Sequence, residues 1–163
     1  MKQSAFITIA IAAIGFLLYL NFFSRKKMSF THTVISSDKA PKPIGPYSQA
    51  ILTGNTLFVS GQVAINVETG KLDSSNIENE TKRTLQNIAA ILDTARMDLK
   101  NVVKTSIYLT DLKNFPVVND IYEKFLTPHC VSNSEKVFPA RETVQVAALP
   151  KGAHIEISVI AVK

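Results

Sequence analysis

Apolar and polar residues alternate most regularly near the C-terminus. Ile155, Ile157, Val159 and Ala161 share one parity of His154–Val162, and Glu156 falls on the other. This is the pattern of a strand with one buried face. The same period of two runs through Val144, Val146 and Ala148. A strand with those three turned inward is expected there, stiffened at its approach by Pro139. Thr31–Ile35, Ser48–Leu52, Thr56–Ser60 and Val102–Thr110 read as further strands. Thr53-Gly54-Asn55 is a hairpin signal, and Asn66–Lys71 is a turn. Gly61, after Ser60, marks a bulge or a place where a ligand or another chain comes close to the backbone.

The period changes between Asp73 and Ala95. Ile77, Thr81, Leu85, Ile88, Leu92 and Ala95 step by four, four, three, four and three, which predicts a helix. Ser74, Ser75 and Asn76 are its candidate N-caps. A second helix is expected from Asn114 as cap, with Pro116 in its first turn and Phe115, Val118, Tyr122 and Phe125 as its core stripe. Thr127–Lys136 reads as a polar loop. Asn79-Glu80-Thr81 is a glycosylation sequon only formally, since it falls on the first helix. The order of strands, long helix, strand, shorter helix and two strands predicts an α+β sheet with both helices on one face. Val102, Tyr108 and Val162 are too apolar for water on the other face, so self-association is expected.

Ahead of this pattern, Ala5–Phe23 is a nearly continuous apolar run closed by Arg25-Lys26-Lys27. About 19 residues at helical rise reach roughly 28 Å, one hydrocarbon thickness. Phe22-Phe23-Ser24-Arg25 offers no small-x-small cleavage site, so residues 1–27 read as a leader and single-pass membrane anchor, and residues 28–163 as one domain. The flanking charges place that domain in the cytosol by a margin of one. Two alternatives stand beside the anchor. One is an organelle-targeting leader, mitochondrial included, against which the arginine-poor apolar character speaks. The other is an internal start at Met28, giving a soluble cytosolic form.

Charge alters the picture little. The chain carries +5, but residues 28–163 hold 14 basic against 13 acidic residues, a net of +1. The basicity belongs to the leader, and the domain has no basic stripe for nucleic acid. Cys130 is the only cysteine, so no internal disulfide forms; in its polar loop it reads as an incidental thiol. His32, His129 and His154 lie in no metal-ligand spacing, and no metal is expected. No phosphate-binding glycine loop and no nucleophile elbow is present. No cofactor is implied.

Polar residues near strand ends remain: Tyr47, Ser60, Arg141 and Glu156, with Asn119 on a helix. The guanidinium of Arg141 is a fixed fork that fits a small carboxylate. The competing reading is a surface arginine paired with Glu142 or another surface acid. Glu156 could orient a water or exchange a proton with it, or be a paired surface acid. Tyr47 and Ser60 could hydrogen-bond at a pocket wall. Such a set suits hydrolysis without a covalent step.

The motifs Gly45-Pro46-Tyr47-Ser48-Gln49-Ala50, Ser60-Gly61-Gln62, Val103-Lys104-Thr105, Phe138-Pro139-Ala140-Arg141, Gln145–Gly152 and Ile155-Glu156-Ile157 together resemble the RidA (reactive intermediate deaminase, YjgF-type) family over about residues 30–163. The resemblance implies a chorismate-mutase-like α+β fold forming a homotrimer, with sites in the clefts between subunits. It implies cofactor-free hydrolysis of enamine/imine intermediates, 2-aminoacrylate/2-iminopropanoate and 2-iminobutanoate, to 2-oxo acids and ammonia. By the same resemblance Arg141 binds the substrate carboxylate, Glu156 is the acid and Tyr47 the pocket tyrosine, while Ser60, Gly61 and Asn119 match lining positions. Thr143 stands where some members carry cysteine. The Thr127–Lys136 loop is longer than usual for the family. Ribonuclease, translation-inhibiting and chaperone-like roles are the family's alternative readings.

Overall fold

Gly54 adopts a positive φ of 58° and turns the chain between β2 (Ala50–Thr53) and β3 (Thr56–Gln62), as the hairpin signal requires. In the computed structural model, residues 31–132 and 135–163 are described. Thr53 pairs with Thr56 and Ala50 with Val59, while β1 (His32–Ile35) joins the outer edge of β2. The six-stranded sheet runs β1-β2-β3-β8-β4-β7, with β4 at Val102–Leu109, β7 at Ala140–Gln145 and β8 at Ile155–Val162. Every pairing is antiparallel except β4 with β7, which is parallel, as a strand–helix–strand crossover demands.

Two helices cover one face, α1 (Ile77–Thr94) and α2 (Phe115–Leu126). Helix α1 starts at Ile77, the first position of the hydrophobic period and inside the Asp73–Ala95 stretch, with Asn76 of the three candidate caps ahead of it. The side chain of Asn76 accepts from the Asn79 amide and ends the preceding loop. Leu85, Ile88, Ile91 and Leu92 pack onto Ile155, Ile157, Val159 and Ala161 of β8 in one core. The hydroxyl of Thr81, which the sequon would need, is turned into this helix and donates to the Ile77 carbonyl. Gln49 is buried beside the core. Its amide donates to the carbonyls of Ser37, Ala40 and Pro41, and its oxygen accepts from the Ser37 amide. These bonds pin the proline-rich segment ahead of Tyr47 to the sheet.

Several expectations need correction. Asn114 makes no side-chain cap; Asp111 accepts from the Lys113 amide and starts a 3-10 turn that leads into α2. The buried stripe of α2 is Val118, Ile121, Tyr122 and Leu126, leaving Phe115 exposed. Cys130 is buried in the core rather than loose in a loop, and burial pushes its thiol pKa up. Thr127–Lys136 contains a short pairing of β5 (Val131–Ser132) with β6 (Glu135–Lys136). An irregularity between Val102 and Lys104 turns Val102 into the core and leaves Val103 outside. Val144 faces away from the helices and is 43% exposed, because Arg141 and Thr143 take the inward parity.

The membrane anchor is also corrected. Among the described residues no helix is long and apolar enough to cross a membrane. The longest, α1, is charged at Glu78, Glu80, Lys82, Arg83 and Asp93. Ala5–Phe23 lies outside the described residues. The membrane partner and the single-pass placement are therefore set aside, together with the cytosolic orientation read from its flanks.

Candidate functional site

Strand β7 sets the first half of the site. Its parallel pairing places Arg141 beside Thr105, on the face that the helices cover. The guanidinium runs beneath α2, 4.9 Å from the ring centroid of Tyr122 and 5.7 Å from that of Phe115. Nη2 donates to Oδ1 of Asn119 at 2.8 Å. The Tyr122 hydroxyl and Thr105 Oγ1 are 2.9 Å apart, and burial raises the Tyr122 pKa, keeping the phenol neutral. Asn119, Tyr122 and Glu123 occur at helical spacings of three and four, so one face of α2 presents them together. With Phe138 and Pro139 they surround Arg141 in a hollow of about 350 Å³, room for a small acid.

Glu142 does not neutralise this cation. Neighbouring strand residues point to opposite faces, and the Glu142 carboxylate accepts from Lys104 Nζ and Ser106 Oγ on the open side. Those bonds hold its pKa below the usual carboxylate range. Among the described residues no carboxylate pairs with Arg141. The surface-pair reading is thereby removed among the described residues, where the one side-chain hydrogen bond of the guanidinium is that to Asn119.

The second half is built on β3 and β8. Ile155 and Ile157 are fully buried, which sends Glu156 to the open face beside Tyr108. The β3–β8 register shifts between Val59 and Gln62, the bulge that Gly61 suggested. The Glu156 side chain lies against that bulge so closely that a Cβ on Gly61 would stand 2.7 Å from its Cδ. Ser60 Oγ donates to the Ser48 carbonyl at 2.7 Å, and the Ser60 amide to the Gln49 carbonyl at 3.0 Å. Tyr47 is 45% exposed at the rim, where its hydroxyl accepts from the Ile44 amide at 3.2 Å. Tyr47, Ser60, Gly61 and Glu156 thus share one hollow of about 250 Å³, with Lys42, Ile44 and Gln62 as lining that sequence reasoning missed. The Pro/Gly-rich approach to Tyr47 was the available signal for the first two.

Burial raises the pKa of Glu156, and among the described residues its carboxylate accepts no hydrogen bond. A carboxyl whose folded pKa exceeds its unfolded value opposes folding when ionised. That penalty develops as pH rises through the window between the two values. Glu156→Gln is therefore expected to melt at a higher temperature than the parent at neutral pH. The gap should close once pH falls below the ordinary carboxylate range. A pH series of calorimetric melts checks both the sign and the window.

Within one chain, then, Arg141 and Asn119 lie under the helices and the other four residues lie on the opposite face. The fold and these two hollows define an α+β domain of the YjgF type. The YjgF gene product of E. coli has the same fold, with a TM-score of 0.74 at 38% identity, covering 80% of this chain and 98% of that one. The chain belongs to the Endoribonuclease L-PSP family, which matches residues 37–163. The RidA-type likeness carried by the motifs is borne out by this match. A human protein named 2-iminobutanoate/2-iminopropanoate deaminase is 43% identical over 135 residues, 83% of this chain and 93% of that protein. A RutC family protein of Pyrococcus abyssi is 46% identical over 130 residues, 80% of this chain and 96% of its own.

Proposed function

We propose that the domain, residues 28–163, hydrolyses small 2-imino acids to 2-oxo acids and ammonia, acting as a homotrimer whose sites lie between copies. Substrates of the 2-iminopropanoate and 2-iminobutanoate class fit this reading, as the name of the human relative suggests. The observation that carries it is the unneutralised Arg141 fork, held in place by Asn119 and Tyr122. Arg141 would take the substrate carboxylate in two parallel hydrogen bonds and fix C2. Glu156 of a neighbouring copy would accept a proton from water as its oxygen bonds to C2 and the C=N π electrons move to nitrogen. That proton would then pass to nitrogen to give a carbinolamine; its hydroxyl would give its remaining proton, by way of the same carboxylate, to nitrogen as the C–N bond breaks, so that ammonia leaves and the C=O of the 2-oxo acid remains. Tyr47 and Ser60 would line the water's side. An enamine substrate would first take a proton at carbon to reach the imine.

The open face supports assembly. Phe58, Val103 and Val144 are 46%, 48% and 43% exposed there, more apolar surface than a solvated sheet face requires. Copies meeting through this face and the β7 edge would bring one chain's Arg141 hollow to another's Glu156 hollow. RNA cleavage, which the family description mentions, would draw on clustered cations, and the domain is close to neutral.

Mixed assemblies test the reading. An amino-acid oxidase supplies the imine, and semicarbazide trapping reports its lifetime. The parent should shorten that lifetime, while Arg141→Ala and Glu156→Gln alone should each retain only a small residual effect. Trimers refolded from equal amounts of the two variants should regain about a quarter of parental activity, the share of clefts that receive both intact groups. No acceleration by the parent, or no recovery on mixing, would overturn the proposal.

A further inference from the structure

We infer that Glu80 is a positioning residue for Glu156: it clamps His154, the residue just ahead of the strand that carries that acid, and so fixes where the carboxylate sits over Gly61. The inference rests on the role proposed for Glu156. Glu80 is fully buried, although it is a carboxylate. Both its oxygens are engaged by one residue, His154, at the entrance to β8. Oε1 accepts from the His154 amide at 2.6 Å, and Oε2 lies 3.0 Å from His154 Nδ1. The His154 carbonyl in turn accepts from the Thr110 amide at 3.1 Å, just past β4. Position 154 is therefore held on one side by α1 and on the other by the neighbouring strand, two residues ahead of Glu156.

The chain needs a clamp at this point. It arrives through a turn in which Lys151 and Gly152 have φ of 60° and 72°, a conformation that costs energy at Lys151. An unanchored strand end after such a turn would fray. Clearance at the other end of the geometry is small, because Glu156 packs directly against the Gly61 backbone. A small slide of β8 would lift the carboxylate off the bulge and change its distance to C2 of a substrate fixed by Arg141. An apolar residue at position 80 could fill the same space, but only an acceptor can hold the amide of His154. In some proteins a buried polar group selects one register among near alternatives, and that is the role inferred for Glu80.

The test compares Glu80→Ala, Glu80→Gln and His154→Ala in the full-length chain. Two readouts are used: kcat and KM in imine clearance, and the titration of the Glu156 carboxyl followed by ¹³C NMR. Glu80→Ala is expected to lower kcat about tenfold with KM within about twofold, because misplacement acts on the water and not on the Arg141 clamp. Its Glu156 carboxyl should titrate closer to the ordinary carboxylate range. Glu80→Gln keeps an acceptor for the His154 amide and should recover most of kcat and the parental titration. His154→Ala keeps the backbone bond and loses the ring contact; a smaller change in the same directions is expected, and it stands in if Glu80→Ala does not fold. Unchanged kcat and unchanged Glu156 titration in a folded variant would overturn the inference, as would equal losses in the alanine and glutamine variants. Should the parent fail to clear imine at all, the proposed function falls by itself, and the Glu156 titration still decides whether Glu80 positions that acid.

Discussion

Arg141→Ala is expected to lower kcat/KM for 2-imino acids by about 10²-fold or more while the domain stays folded. A hydrogen bond to a charged group is worth about 1.5–3 kcal/mol, and a forked pair to the substrate carboxylate offers two. Losing both costs at least about 3 kcal/mol of transition-state binding, which is the stated factor. The fold should tolerate the change. The side chain lies on an edge strand, and its internal partners are one Asn119 hydrogen bond, worth about 1.5–3 kcal/mol, and the Tyr122 and Phe115 rings, worth about 1 kcal/mol each, together less than the stability of an ordinary domain. Arg141→Lys separates charge from shape. An ammonium can attract the carboxylate but cannot make two parallel bonds in one plane, so most of the loss should persist. Initial rates of imine disappearance, read beside circular-dichroism melts, check the prediction. A folded alanine variant with the parental rate would remove Arg141 from the site.

What the sequence made legible follows from which physical constraint was local. The parity of β8 was open to reading, because four aliphatics at every second position leave one place for Glu156, and the structure puts it there. The hairpin at Gly54 and the bulge at Gly61 followed from backbone freedom that other residues lack. The alternation in Val144, Val146 and Ala148 misled, since a period of two says that two faces differ and not which one the helices cover. That choice was made by the parallel β4–β7 pairing, a long-range contact with no local signal. The same rule could have settled Arg141 earlier. Arg141 and Glu142 are consecutive in a strand, so their side chains diverge, and a mutual ion pair was never available to them. The cap at Asn114 failed for a nearer reason: Asp111 competes for the same helix start and wins by opening a 3-10 turn. The separation of Arg141 from Glu156 onto opposite faces was not legible at all, because it depends on sheet order. That separation is what makes a single copy an incomplete site under the proposed chemistry.

Gly61→Ala should damage turnover far more than stability. The added Cβ would lie 2.7 Å from Glu156 Cδ and 3.0 Å from Cγ, closer than non-bonded carbons tolerate, so something must move. The backbone on the Gly61 side is fixed, since the Ser60 backbone amide donates to the Gln49 carbonyl and the Gln62 side-chain Nε2 donates to the carbonyls of Ser60 and Gly61. The Glu156 side chain is the softer partner. It accepts no hydrogen bond among the described residues and can rotate toward water, which relieves the burial that raises its pKa. Folding should therefore change little, by about 1 kcal/mol or less, the scale of one displaced rotamer. Catalysis should fall by about 10²-fold, because a proton acceptor moved by about 1 Å no longer reaches the attacking water. The Glu156 carboxyl should titrate nearer the ordinary carboxylate range. A double-mutant cycle makes the mechanism specific. If Gly61 acts only by seating Glu156, then Gly61→Ala placed on Glu156→Gln should cost almost nothing further in kcat. Full additivity of the two losses would mean that the bulge serves the reaction by some route other than this carboxylate.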